Sequence, residues 1–189
     1  LLVIAGGERF AARVGVLALP VGLAIAAAVA AGIAGAGGLG YHVGGWAPPL
    51  GIALRADGLS AAMLLVTAVV ASGAGVYALA DFGTPRPGQV ARTSFAFWAS
   101  LLGAWAALNL AFLGNDLFNL YVALELLTFA AVPLVCLDGR AATLQAALRY
   151  LLYALVGSVL YMLGAVLLYG AYGTLDMSLL ARAVRPEPA

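Results

Sequence analysis

The sequence predicts an all-α integral membrane protein with about five complete transmembrane helices. Hydrophobic residues make up 65% of the 189-residue chain and charged residues 9%, against roughly 45–50% and 25% in soluble domains. The apolar residues gather into runs of about 20, and at about 1.5 Å per residue each run matches the roughly 30 Å hydrocarbon core of a bilayer. Most of the proline and arginine falls between the runs. The chain has room for about five or six helices and little else, so residues 1–189 are expected to form a single membrane domain with no soluble domain.

The elements follow in chain order. Residues 1–5 and then Gly6-Gly7-Glu8-Arg9 read as the last turn of a helix and a polar turn. A chain running from Leu1 to Ala189 is expected to be a fragment. Residues 1–5 are also too short for the apolar region of a signal peptide and have no basic segment before them. The first complete span is expected over about residues 14–36, rich in the Ala and Gly that let membrane helices approach closely. Residues 37–57 are expected to be a loop, broken by Gly44-Gly45-Trp46-Ala47-Pro48-Pro49, with Tyr41 and Trp46 as interface anchors. Asp57 is expected to cap the second span, residues 59–80. A loop bearing Pro and Arg covers residues 81–92, and the remaining spans are expected at 94–113, 117–137 and 144–168. Only Gly114, Asn115 and Asp116 separate the third span from the fourth, which requires a tight antiparallel hairpin. Pro133 is expected to kink the fourth span.

Arginine placement gives an orientation. Arg9, Arg13, Arg86, Arg92, Arg140 and Arg149 fall at one set of alternate span ends, and Arg55, Arg182 and Arg185 at the other. By the positive-inside rule the loops after Ala5, Ala80 and Leu137 are cytoplasmic, giving a multi-pass protein of the cell inner (plasma) membrane.

One residue breaks the apolar pattern. Glu125 lies two residues from Leu127, the midpoint of residues 117–137, which puts it roughly 3 Å from the bilayer midplane. An acid at that depth costs a few kcal/mol and usually faces a bundle interior or a water-filled path. Its helical neighbours three and four positions away are Tyr121, Val122, Thr128 and Phe129, so two hydroxyls share its face. Proton relay and interhelical packing by hydrogen bond are both open to it. Arg149, with Gln145 and Tyr153, makes a polar stripe at spacing four along the fifth span. That stripe serves either as the basic part of a buried relay or as a snorkelling, positive-inside arginine. Arg149 and Glu125 are offset by roughly 13 Å along the membrane normal, so water or other side chains would have to bridge them.

Composition removes several classes of function. All nine basic residues are arginine, so no lysine is available for a Schiff base or for titration. A net charge of +1 without a basic cluster gives no reason to expect nucleic acid. Cys136 and His42 are each the sole residue of their type, so neither a disulfide nor a metal site is expected.

Three blocks carry a family resemblance. The first is Gly44-Gly45-Trp46-Ala47-Pro48-Pro49-Leu50-Gly51-Ile52 with Asp57-Gly58-Leu59-Ser60-Ala61-Ala62-Met63. The second is Asn115-Asp116-Leu117-Phe118-Asn119-Leu120-Tyr121-Val122 with Leu124-Glu125. The third is Ala147-Leu148-Arg149-Tyr150 with Gly157-Ser158 and the run from Leu167 to Leu175. Together they resemble the antiporter-like subunits shared by respiratory complex I, membrane-bound hydrogenases and multisubunit Mrp-type sodium/proton antiporters, the D type of the last above all.

The resemblance implies the N-terminal portion of a larger helical bundle, in which the spans correspond to the family's helices two to six. It makes Glu125 the functional glutamate, passing protons through a half-channel as a basic partner approaches or retreats. Arg149 stands where the family usually has lysine, and Leu124 where an aromatic is common. The family's principal lysine and its second inverted repeat would lie beyond Ala189. The implied partners are other membrane subunits, protons and sodium, with the lipid bilayer around them and no cofactor in this subunit. A proton-pumping subunit of an NADH-quinone oxidoreductase or hydrogenase is the alternative, and an inactive or scaffold fragment the third reading.

Overall fold

The computed structural model describes residues 8–82 and 90–184. Among the described residues, five helices are long and apolar enough to cross a membrane: α1 (Glu8–Ala36), α2 (Gly58–Phe82), α3 (Val90–Leu113), α4 (Leu117–Val135) and α5 (Ala141–Tyr172). A short helix, α6 (Met177–Ala183), follows. The expected turn at residues 1–5 and residues 83–89 of the expected loop lie outside the described residues.

Residues 37–57 are not the irregular loop expected from their glycines and prolines. They form an antiparallel hairpin of β1 (Leu39–His42) and β2 (Ala53–Ala56), with Leu39 opposite Ala56 and His42 opposite Ala53. Backbone pairing, not side-chain burial, makes β1, since every one of its residues is exposed, while β2 buries Ala53 and Ala56 at its two ends. Four of the helices, α1, α2, α3 and α5, also run past their expected bounds, and α4 does not. α5 extends beyond residues 144–168 on both sides, because its flanking residues stay helical until Gly173 closes it at φ +69°. α4 passes through Pro133 and ends at Val135, two residues short of the expected 137. A 3-10 turn at Cys136–Asp138 follows, ended by Gly139 at φ +65°. Proline there removes one donor close to the helix end, where few further helical bonds depend on it.

The caps are local chemistry. The Ser60 N–H donates to Asp57 Oδ1 at 3.0 Å, so Asp57 holds the start of α2 as expected. That bond, the Ser60 hydroxyl, the Leu59 N–H and the charge of Arg55 together hold the Asp57 carboxyl below its ordinary value. Asp116 caps α4, accepting from the N–H groups of Phe118 and Asn119 at 2.8 and 3.1 Å.

The main buried core lies among α1, α2 and α3. Trp98 and Trp105 sit seven residues apart on α3, and Gly15 and Gly22 seven apart on α1. A Cβ at Gly15 would land in the Trp98 ring and one at Gly22 in the Trp105 ring, so each indole fills the space a glycine leaves. Ala68 and Leu64 of α2 complete this core. The α3–α4 hairpin is the most closely packed helix pair, and α5 packs on α4 with the rest of its surface exposed.

One end of the bundle is knotted by polar contacts. The Asn115 N–H donates to Ala53 O at 3.2 Å, the Leu117 N–H to Leu175 O at 3.0 Å, and the Met177 N–H to Asn115 O at 2.8 Å. Asn115 Nδ2 donates to Asp176 Oδ2 and to Ser178 Oγ, both at 2.9 Å. The β-hairpin, the α3–α4 turn and the exit from α5, which the arginine count puts on one side of the membrane, therefore meet at one end.

Candidate functional site

Glu125 is the ninth of the nineteen residues of α4. The Asp116 cap fixes where that helix begins and so the depth at which Glu125 emerges. Its carboxylate accepts a hydrogen bond at Oε1 from the Ser158 hydroxyl of α5. Ser158 lies on the one face of α5 that turns inward, with Ala154, Tyr161 and Ala165 at helical spacing. One turn toward the knotted end, Tyr121 of α4 stacks on Tyr161 of α5, with ring centroids 6.1 Å apart and planes at 21°. The Tyr161 hydroxyl donates to Leu117 O at 3.0 Å. Phe118 also neighbours Tyr121, with ring centroids 6.1 Å apart and planes tilted at 31°. The acid therefore has a hydroxyl partner beside it and an aromatic pair over it toward that end.

The remaining residues singled out from the sequence divide. Tyr121 belongs to the site through its stack. Thr128 is one turn from Glu125, but its hydroxyl donates to Leu124 O of its own helix at 3.0 Å. Arg149, Gln145 and Tyr153 are exposed on α5, Tyr153 at 79%. Arg149 is nine residues from Ser158, which is about 13 Å along the helix and, at 3.6 residues per turn, about half a revolution around it. The stripe thus points away from Glu125.

The sequence alone does not mark Ser158 and Tyr161 as site residues. The signal for them is the inward period of α5, which groups both on one face with small residues. Toward Pro133, α4 and α5 part around a groove of about 400 Å³ lined by Ala131, Val132, Val135, Thr143, Ala147 and Tyr150. Its walls are apolar apart from Thr143 and Tyr150, so it offers few groups to a file of water. Among the described residues, no three His, Cys, Asp or Glu side chains come together as a metal site would need.

Residues 114–187, which contain Glu125, Ser158 and the contacts of the α3–α4 turn with residues 175–178, match the family model described as NADH:quinone oxidoreductase/Mrp antiporter, TM. The chain carries this stretch of the antiporter-like family of membrane subunits. It is 35% identical over 136 residues to the D-type subunit of the Na(+)/H(+) antiporter of Bacillus subtilis, covering 72% of this chain and 26% of that protein. Over 146 residues it is 38% identical to the N-type subunit of the NADH-quinone oxidoreductase of Desulforudis audaxviator, covering 77% of this chain and 28% of that one. Its fold is similar to a chain of the Mrp complex from Dietzia sp. DQ12-45-1b, with a TM-score of 0.79 at 26% identity, over 97% of this chain and 35% of that chain. A chain of the membrane-bound sulfane sulfur reductase, an archaeal respiratory membrane complex, gives 0.76 at 26% identity, over 96% of this chain and 39% of the other. This antiporter-like chain spans about a quarter of the length of the curated relatives it matches.

Proposed function

We propose that this chain carries a proton relay within one subunit of a multisubunit monovalent cation (sodium)/proton antiporter, and that Glu125 is the group that takes up and releases the proton. The observation that supports this most is the position of Glu125. Among the described residues it is the acid in the middle of a membrane span, hydrogen-bonded to a neighbouring helix rather than buried alone. Tyr121 and Thr128 act beside it as supporting hydroxyls. Arg149, with Gln145 and Tyr153 on its face, acts on Glu125 at a distance through its field. The site of action is the cell inner membrane, among other membrane subunits of the complex.

A second reading is a proton-pumping role powered by redox chemistry, favoured by the likeness to a component of an NADH-quinone oxidoreductase. Both readings use Glu125 in the same way. They part on the driving force, since a sodium gradient drives flux in the first and quinone reduction in the second.

The test is cation-dependent proton flux in everted vesicles carrying the complete complex, with assembly checked separately. Glu125→Gln keeps size and hydrogen bonding but removes the exchangeable proton, and Glu125→Asp keeps the proton on a shorter arm. Flux is expected to be lost in the first and weakened in the second. An assembled Glu125→Gln complex with wild-type flux refutes the relay, because an interhelical hydrogen bond of about 1 kcal/mol needs no change of charge.

A further inference from the structure

We propose that Ser158 is the positioning residue for Glu125, its hydroxyl fixing the direction of the carboxyl and keeping it hydrogen-bonded in both protonation states. This rests on Glu125 being the proton relay.

The geometry carries the argument. Ser158 Oγ donates to Glu125 Oε1 across the α4–α5 seam. Among the described residues, no charged group on the packed helices competes for that oxygen. From α3, no side chain between Thr93 and Leu113 is charged or titratable. From α5 the titratable group on the inward face is Tyr161, and its hydroxyl donates to Leu117 O. On α4 itself the nearest is Tyr121, whose ring is held in the stack with Tyr161. Arg149 lies on the far side of α5.

A serine suits this task because a hydroxyl both donates and accepts. Toward the carboxylate it donates. When Glu125 carries a proton, the carboxyl O–H donates to Ser158 Oγ, and the serine proton turns to the carbonyl one turn back at Ala154, as helical serines do. The carboxyl therefore exchanges its proton without leaving its partner or turning into the lipid. Alanine offers neither half of that exchange, and threonine offers both.

The experiment compares Ser158→Ala, Ser158→Thr and Glu125→Gln in the complete complex, using flux in everted vesicles and infrared difference spectra of the protonated carboxyl. The band that disappears in Glu125→Gln belongs to Glu125. In Ser158→Ala that band is expected to move to higher wavenumber as its hydrogen bond is lost, with flux down roughly five- to tenfold. In Ser158→Thr both are expected to return to wild type. Should Ser158→Ala fail to assemble, Ser158→Cys, which fills the space with a weak donor, is read in its place with the same expected band shift. An unmoved band and wild-type flux in the alanine variant, with Glu125→Gln inactive, overturn the role of Ser158 alone. Wild-type flux in Glu125→Gln overturns the relay beneath it.

Discussion

Gly15→Ala tests whether α1 and α3 are held at the separation described. Trp98 is 1% exposed, and the methyl would overlap Cε3, Cδ2 and Cζ3 of its six-membered ring. Restoring ordinary contact at 3.5–4.0 Å requires the ring to withdraw by about 1.5 Å. It has little room to do so, because Phe97 packs edge-on at 5.4 Å and α2 closes the core behind it. Overpacking of this kind costs about 1–3 kcal/mol, and the confinement of the ring argues for the upper end. Trp98→Leu alone also destabilises, by leaving a cavity, but it opens the space that Gly15→Ala needs. The double variant should therefore be more stable than the sum of the single losses implies, with a coupling of about 1–3 kcal/mol. The assay is thermal unfolding of the purified complex in detergent for the four members of the cycle. Additive losses, or a Gly15→Ala protein as stable as wild type, would refute the packing argument.

The remaining predictions concern caps and topology. Asp116→Ala should cost about 1 kcal/mol by leaving the Phe118 and Asn119 N–H groups unpaired, while Asp116→Asn should cost less; both are read by thermal unfolding. Because the Asp57 carboxyl is held below its ordinary value of 3.8, its contribution to stability is present above that value and lost as the pH falls through the lowered one. Asp57→Asn should flatten that acid limb in melting curves taken across the pH range. In a Cys136→Ala background, a cysteine at Gly45 should react with an impermeant thiol reagent outside intact cells and one at Gly88 should be shielded; the reverse pattern would invert the orientation.

The spans could be read from sequence because each is a run of apolar residues as long as a bilayer is thick. The α3–α4 hairpin was as plain, since three residues permit no other connection. The Asp57 cap was visible because capping is local, with donor and acceptor three residues apart. The β-hairpin was hidden, because its strands are four residues each and the first buries no side chain that could set an alternating pattern. Glu125 stood out by the cost of its depth, yet its partner did not. Which residue of α5 meets it depends on the rotation and height of one helix against another, and neither is written in either helix alone. The same gap left Gln145, Arg149 and Tyr153 open to either role, since a polar stripe fixes a face of its own helix without naming the neighbour it turns toward. The fit of Trp98 and Trp105 over Gly15 and Gly22 was illegible for that reason too.

The knot at one end of the bundle decides what kind of movement the Glu125 site can undergo. Asn115 and Leu117 are bonded to Leu175 and Met177 through the backbone, and Tyr161 is anchored to Leu117, so α4 cannot slide along α5 without breaking these bonds together. The other end of the pair is tied as well, since only residues 136–140 join α4 to α5, and the groove lined by Val132, Thr143 and Tyr150 is bridged by that short turn. Glu125 and Ser158 therefore sit between two fixed ends, which leaves side-chain rotation, rather than sliding of one helix on the other, as the movement open to their hydrogen bond.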